Sequence, residues 1–277
     1  MDPRSGPLKQ KTSFYYPLLF LPREKRAAME ALYRFCWTAD EIADRPGLPA
    51  DKEKELERFK SDLKSCLAGK SRAPLFANLY DAVRTFHMTP EPLFRLLKGA
   101  ERDLKPVRFR QFQELHRYAL QVAGGPGLSS MEIFGYHDEA HRSYAENLGV
   151  FLQIVNIVRD FQEDQGMRRQ YLPEEDFLRF HLRPERADEA VSNWKSFVEF
   201  ELDRAWGFLE TARKSLSLKE RGELVTAEAI AAVYLRLYQK LRNHPQRVLE
   251  GKVRLSMAEK LLSAAGAAVR CALWRRL

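Results

Sequence analysis

Residues 148–164 read LGVFLQIVNIVRDFQED, and the spacing within this stretch decides the class of fold. Leu148, Phe151, Leu152, Ile154, Val155, Ile157, Val158 and Phe161 recur at helical spacing and cover most of a helix's circumference. At roughly 100° per residue, Gln153, Asn156, Asp160 and Asp164 fall within about 80° of one another, one polar line on a helix otherwise destined for burial. Buried polar groups need partners. A matching line lies earlier in the chain: in MEALYRFCWTADEIAD (29–44), Tyr33, Trp37, Asp40 and Asp44 share one face. The expectation is two helices whose polar stripes face each other across a cavity, with carboxylates at one end and apolar walls below.

Each aspartate pair is spaced four residues apart, a turn apart on one face, where two negative charges repel by a few tenths of a kcal/mol. A bridging cation reverses that sign. One such pair usually marks a solvated helix face; two pairs, each continued by amide or aromatic residues, mark a site. Oxygen ligands without a Cys or His cluster point to Mg²⁺, held by one or two carboxylates together with substrate phosphates. The chemistry expected is metal-assisted handling of a phosphorylated substrate.

The remainder of the 277 residues fits an all-α chain, with 45% apolar residues and almost no strand pattern. Helical periodicity predicts helices over Arg23–Asp44, Asp51–Leu67, Pro90–Leu104, Glu146–Asp164, Pro184–Leu216, Thr226–Arg242 and Ser256–Trp274. One domain over 1–277 is the economical organisation. VAGGPG (122–127) lacks the Gly-Lys-Ser/Thr ending and preceding strand of a phosphate loop and reads as a helix break. His137 and His141 have metal-pair spacing but no HExxH glutamate, and read as an exposed helix face. Cys36, Cys66 and Cys271 are too few and scattered for a disulfide framework or zinc site. The formal charge of +8 invites a polyanion, yet the basic residues are interleaved with acids and no nucleic-acid-binding motif is present, so no nucleic-acid partner is expected. No apolar run reaches the length of a membrane span, and MDPRSGPLKQKTS lacks a secretory signal's apolar stretch, so a cytoplasmic protein is expected. VRCALWRRL (269–277) could rest on an anionic membrane surface.

Taken together, YRFCWTADEIAD and LGVFLQIVNIVRDFQEDQGMRRQYLP resemble the squalene/phytoene synthase family, trans-isoprenyl diphosphate synthases that join prenyl chains head to head. The resemblance runs from TSFYYPLLFLPREKR through YALQVAGGPG to AAVYLRLYQKLR and the basic segment near Arg247. It implies a helical isoprenoid synthase bundle around a central apolar cavity. Asp40, Asp44, Asp160 and Asp164 would hold Mg²⁺ against the diphosphates; Gln153 and Asn156 would lie on the same face; and Ser13, Arg159, Arg169 and Arg247 would meet the diphosphates. Tyr33, Tyr171 and Tyr234 match tyrosines around the reacting centre, and Phe14, Tyr118, Val122 and Ala123 would line the prenyl cavity, for which ordinary core packing is the competing reading.

Three departures stand out. Trp37 replaces an arginine common in the family, a contact that Arg34 or Arg45 could supply instead; Glu41 replaces an aspartate; and Met167-Arg168-Arg169 replaces Arg-Gly-Arg. TADEIAD looks most like the bacterial squalene synthases of hopanoid synthesis, which implies farnesyl diphosphate converted to presqualene diphosphate, or presqualene diphosphate to hydroxysqualene or squalene. Partner enzymes of that route would follow, and NADPH if the reaction is reductive. The alternatives are a dehydrosqualene or phytoene synthase of carotenoid synthesis and, in another class, a non-catalytic relative acting in assembly or lipid binding. Because the implied product is very apolar, peripheral contact with the inner face of the membrane is expected.

Overall fold

The computed structural model describes residues 15–70 and 73–277. Its axis is the helix forecast from the opening stretch. The α-helices, in chain order, are α1 (Tyr15–Leu18), α2 (Arg23–Asp44), α3 (Pro49–Leu67), α4 (Pro74–Thr85), α5 (Glu91–Asp103), α6 (Phe112–Ala119), α7 (Gly125–Phe134) and α8 (Glu139–Gly166). They continue with α9 (Glu174–Arg179), α10 (Val191–Ser215), α11 (Leu218–Glu223), α12 (Val225–Asn243), α13 (Arg247–Glu250) and α14 (Met257–Trp274). The chain is all-α apart from a two-residue ladder in which β1 (Val107–Arg108) pairs in parallel with β2 (Arg169–Gln170).

α8 is buried along most of its length, from Tyr144 to Phe161, and α10 packs along it. α2 packs on α4, α5 and α7, while α12 lies between α8 and α14. Arg23–Asp44 is found with the forecast boundaries. α8 begins earlier than the apolar pattern suggests, at Glu139, because the Asp138 carboxylate accepts from the His141 N–H and caps its N-terminus. The helix expected over Pro184–Leu216 is divided into a 3₁₀ segment (Pro184–Glu189) and α10, with non-helical backbone at Arg186.

Two expectations are corrected. VAGGPG is not a break: Leu120–Gly124 is a π-helical turn running directly into α7, with Gly124 and Gly125 in right-handed helical conformation. The glycines serve close approach. A Cβ on Gly125 would lie 2.7 Å from the Pro92 carbonyl oxygen, and one on Gly149 would lie 2.9 Å from backbone atoms of Ala123 and Gly124. Nor is His141 on an exposed face: it is buried, stacked on Tyr136 at 4.1 Å, with Nδ1 2.7 Å from Asp138 Oδ2. Cys66 and Cys271 are buried free thiols and Cys36 is half-buried. Among the described residues no helix is long and apolar enough to cross a membrane.

Candidate active site

α2, the π turn, α7, α8 and α12 enclose an apolar cavity of about 280 Å³. Tyr33, Trp37 and Asp40 enter it from α2, Gln153 and Asn156 from α8, and Val122 and Ala123 from the π turn. Leu148, Leu152 and Ile230 contribute apolar wall. Tyr33, Trp37 and Asp40 of one stripe and Gln153 and Asn156 of the other therefore share one cavity, whereas Asp44, Asp160 and Asp164 are not part of its lining. Trp37 adds ring surface beside Asp40 where the family often has an arginine. Arg34 lies in a surface groove against α4, with Asn78 and Asp81, and Arg45 is ion-paired with Glu55. Neither arginine lines the cavity.

Beyond Asp40 the acidic residues form one electrostatic cluster. Burial, reinforced by the charges of Asp44 and Asp103, pushes the Asp40 carboxyl up to about 8. Asp40 is nonetheless solvent-exposed, standing at the cavity wall with the body of the protein crowded behind it. Burial and the neighbouring Asp160 likewise push Asp164 up to about 8, with Asp103 adding to the effect and Arg169 and Lys252 opposing it. Arg169 and Asp103 thus act on the aspartates of both helices. Arg169 is buried; its Nη1 donates to Asp44 Oδ1 at 2.5 Å and its Nη2 to the Asp103 carbonyl at 2.9 Å. Asp160 receives Arg159 Nε at 2.6 Å and lies 3.1 Å from Lys252 Nζ, which also meets Glu163 at 2.8 Å.

Nothing in the periodicity of 90–104 singles out Asp103, yet it joins the halves of the site. Its Oδ2 accepts from Tyr118 Oη and its Oδ1 from Tyr171 Oη, both at 2.7 Å, and the two rings stack at 5.0 Å. Burial raises its carboxyl to about 6 against the opposing pull of both hydroxyls. The β1–β2 ladder explains the meeting: it ties the segment after α5 to the segment after α8, so Asp103 reaches Arg169 and Tyr171. One signal was available. An acid in the last turn of a helix opposes the macrodipole, and a residue placed against its local electrostatics invites a tertiary reason.

Tyr234 lies outside the apolar cavity, in a neighbouring pocket of about 160 Å³ with Arg159, Lys252 and Lys260. Arg247 is exposed on α13; Lys252 is the basic residue of that region that meets Asp160. Ser13 and Phe14 lie outside the described residues. Arg168, where the family has glycine, takes φ +58°, a left-handed conformation that favours glycine.

The donor set fits a hard divalent cation. It is made of oxygen, burial and adjacent carboxylates raise Asp40 and Asp164, and Asn156 Oδ1, one turn from Asp160, is a buried acceptor without a hydrogen-bond partner. Among the described residues, no three Asp, Glu, His or Cys side chains converge on one ligating point. Mg²⁺ takes one or two carboxylates and fills the rest of its shell with water and phosphate oxygens.

The family model described as squalene/phytoene synthase matches residues 8–259. The chain belongs to this family. Phytoene synthase from Mycobacterium tuberculosis is 31% identical over 260 residues, covering 92% of this chain and 85% of the relative. The chloroplastic phytoene synthase of an Oncidium hybrid is 27% identical over 259 residues, and the match spans 91% of this chain but only 63% of that protein. A crystal structure of a dehydrosqualene synthase superposes with a TM-score of 0.75 at 24% identity, covering 93% of this chain and 90% of that one. The squalene synthase HpnC from Alicyclobacillus acidocaldarius gives 0.68 at 22%, covering 96% and 89%. These structures establish a shared isoprenoid synthase fold. The comparisons support squalene/phytoene synthase membership without the narrower hopanoid assignment drawn from TADEIAD, and the named sequence relatives are phytoene synthases.

Proposed function

We propose that the protein is a Mg²⁺-dependent head-to-head prenyl diphosphate synthase of the phytoene or dehydrosqualene type, joining two molecules of geranylgeranyl or farnesyl diphosphate. The observation that carries this reading is that Asp40 lines an apolar cavity and belongs to an acidic cluster spanning α2 and α8, in which Asp103 and Arg169 act on both Asp40 and Asp164. An apolar chamber holds the prenyl tails, and a charged rim takes the diphosphates. Bound Mg²⁺ would neutralise the diphosphate oxygens and assist their departure.

This chain's residues supply the rest. Asp40 and Asp44 would hold metal on one side and Asp160 and Asp164 on the other, with Asn156 Oδ1 offering a further oxygen. Arg159 and Lys252, now turned onto Asp160, are cations that a bound diphosphate would draw away from that carboxylate. Arg169 locks Asp44 and the end of α5 in position. Loss of diphosphate would leave an allylic cation, and the rings of Tyr33 and Trp37 in the cavity wall would stabilise positive charge without offering a strong nucleophile. The apolar wall excludes water, which would otherwise quench the cation. Asp103, Tyr118 and Tyr171 form a hydrogen-bonded relay at the edge of the cluster, suited to holding a proton near the leaving group.

The phytoene-type reading is preferred over the hopanoid-type squalene synthase because the matched sequence relatives carry the phytoene synthase name over most of this chain. The test is incubation of the full chain with Mg²⁺ and farnesyl or geranylgeranyl diphosphate, with and without NADPH, and separately with presqualene diphosphate, followed by mass spectrometry of the lipids. A coupled hydrocarbon formed without reductant supports the proposal. Squalene formed only with NADPH, or hydroxysqualene formed only from supplied presqualene diphosphate, would return the reading to the hopanoid branch. No turnover of any substrate would favour the non-catalytic relative.

A further inference from the structure

α14 is built inside out. The stripe it buries holds only small side chains, Ala264, Ala267 and Cys271, packed chiefly on α12 and α11, whereas its large apolar residues face outward. Leu262, Val269 and Leu273 are 74%, 62% and 58% exposed. With Leu261 and the exposed alanines 258, 265 and 272, they fall in an arc of about 120° that contains no polar residue of the helix. A solvent-facing helix side normally carries charge; this one carries leucine and valine. Leu19 and Phe20, also exposed, follow α1, which touches the same helix through Tyr16 Oη on Met257 Sδ at 2.7 Å. Such a contiguous apolar face marks an interaction surface.

The charges around it say what kind. From Lys260 to Leu277 every charged side chain is basic: Lys260, Arg270, Arg275 and Arg276. Beside α14 lies a groove of about 440 Å³ lined by Arg213, Arg221, Arg236, Arg270 and Trp274. Its carboxylate, Glu228, is taken up by Arg221, which donates from Nε and Nη2 at 2.7 and 3.0 Å. Three further guanidinium groups line the groove, of which Arg236 also meets Glu259 of α14, Nε to Oε1 at 3.5 Å. Burial and the charges of Arg221 and Arg270 hold the Arg213 guanidinium below its ordinary proton affinity, a site where an anion would relieve repulsion.

From this arrangement we infer that the outer face of α14, with Leu19, Phe20 and the arginine groove, is a docking surface for an anionic lipid bilayer, with the helix lying in the plane of the interface. Leucine and valine on one face with arginines along its flank is the pattern of an in-plane amphipathic helix. The arginines meet lipid phosphates while the apolar face enters the acyl boundary. A second copy of the chain is the poorer occupant, because pairing α14 with α14 sets like charges against each other along residues 260–277. α12 backs α14 on one side and contributes Ala227 and Ile230 to the apolar cavity on the other, so the surface lies one helix from the chamber. The inference rests on α14 and its surroundings and stands whichever prenyl substrate the cavity accepts.

The test is co-sedimentation of the full chain with phosphatidylcholine vesicles and with vesicles also containing phosphatidylglycerol, alongside size-exclusion chromatography. The expected result is pelleting with the anionic vesicles, weakened by salt and lost in a Val269→Asp, Leu273→Asp variant that keeps its circular dichroism spectrum. Arg236→Gln with Arg270→Gln, which leaves the apolar face intact, weakens partitioning by roughly tenfold or more. Equal recovery with both vesicle types, or binding untouched by either variant, overturns the inference. So does a dimer that the Val269→Asp, Leu273→Asp variant dissociates while wild type ignores vesicles, because the face would then cover a second copy.

Discussion

Asp40 gains less from Arg169 than it loses to burial and to its acidic neighbours. Burial and the adjacent carboxylates of Asp44 and Asp103 raise its proton affinity, and Asp164 is raised in the same direction by burial and Asp160. With folded values of about 8 against an ordinary 3.8, the native state binds more protons than the unfolded state through the interval between them. Stability of the metal-free protein therefore falls as pH rises through that interval, and the full penalty stands above it. Asp40→Asn or Asp164→Asn should raise the melting temperature of the metal-free protein at about pH 9 and change it little at about pH 4. Either substitution should also abolish Mg²⁺-dependent turnover. Melting curves at the two pH values and a product assay check both halves. Asp103→Asn leaves one tyrosine hydroxyl without an oxygen acceptor and removes the charge from the other bond. Charge-assisted hydrogen bonds contribute about 1.5–3 kcal/mol, so kcat/KM should fall roughly ten- to a hundredfold with helical content unchanged. Wild-type kinetics in that variant would remove Asp103 from the site. The aspartates on α2 and α8 are legible in sequence because each pair repeats a helical spacing within its own helix. Asp103 offers only the weak signal of an acid in a helix's last turn, because its partners lie 15 and 68 residues away and meet it only through the fold.

The helices bring these residues together by approaching unusually closely. α8 crosses the π turn at Gly149, where a Cβ would lie 2.9 Å from Ala123 and Gly124 backbone atoms that cannot swing aside. Gly149→Ala gains up to about 1 kcal/mol of helix propensity, while overpacking against fixed backbone costs about 1–3. Overpacking wins, and urea denaturation should show a net loss of roughly 1–2 kcal/mol, with a measurable loss of activity because Ala123 and Asn156 flank the same cavity. Equal stability of the variant would show that the helices can separate freely. The apolar periodicity of residues 148–161 gave away α8, and that of 29–44 gave away α2. VAGGPG was opaque for a physical reason: glycine and proline end helices in isolation, and only the close approach of α5 and α8 gives those glycines a packing role. His141 was opaque in the same way, since polar neighbours in sequence conceal a ring buried on Tyr136.

At the scale of the whole molecule, the proposal is that the carboxylates of α2 and α8 would form a single divalent-cation site completed by a diphosphate. Its outline was written in two helices, while its closure by Arg169, Asp103 and Lys252 depends on the β1–β2 ladder and on the turn after α13 that carries Lys252 to Asp160. The measurement that tests the claim most directly is electron paramagnetic resonance of Mn²⁺ added to the full chain, with and without a non-reactive prenyl thiodiphosphate, in wild type, Asp40→Asn and Asp164→Asn. The prediction is weak Mn²⁺ binding by the protein alone, tight binding when the thiodiphosphate is present, and loss of that tight binding in both variants. Tight binding that survives both substitutions, or a thiodiphosphate that leaves Mn²⁺ binding unchanged, would contradict the account.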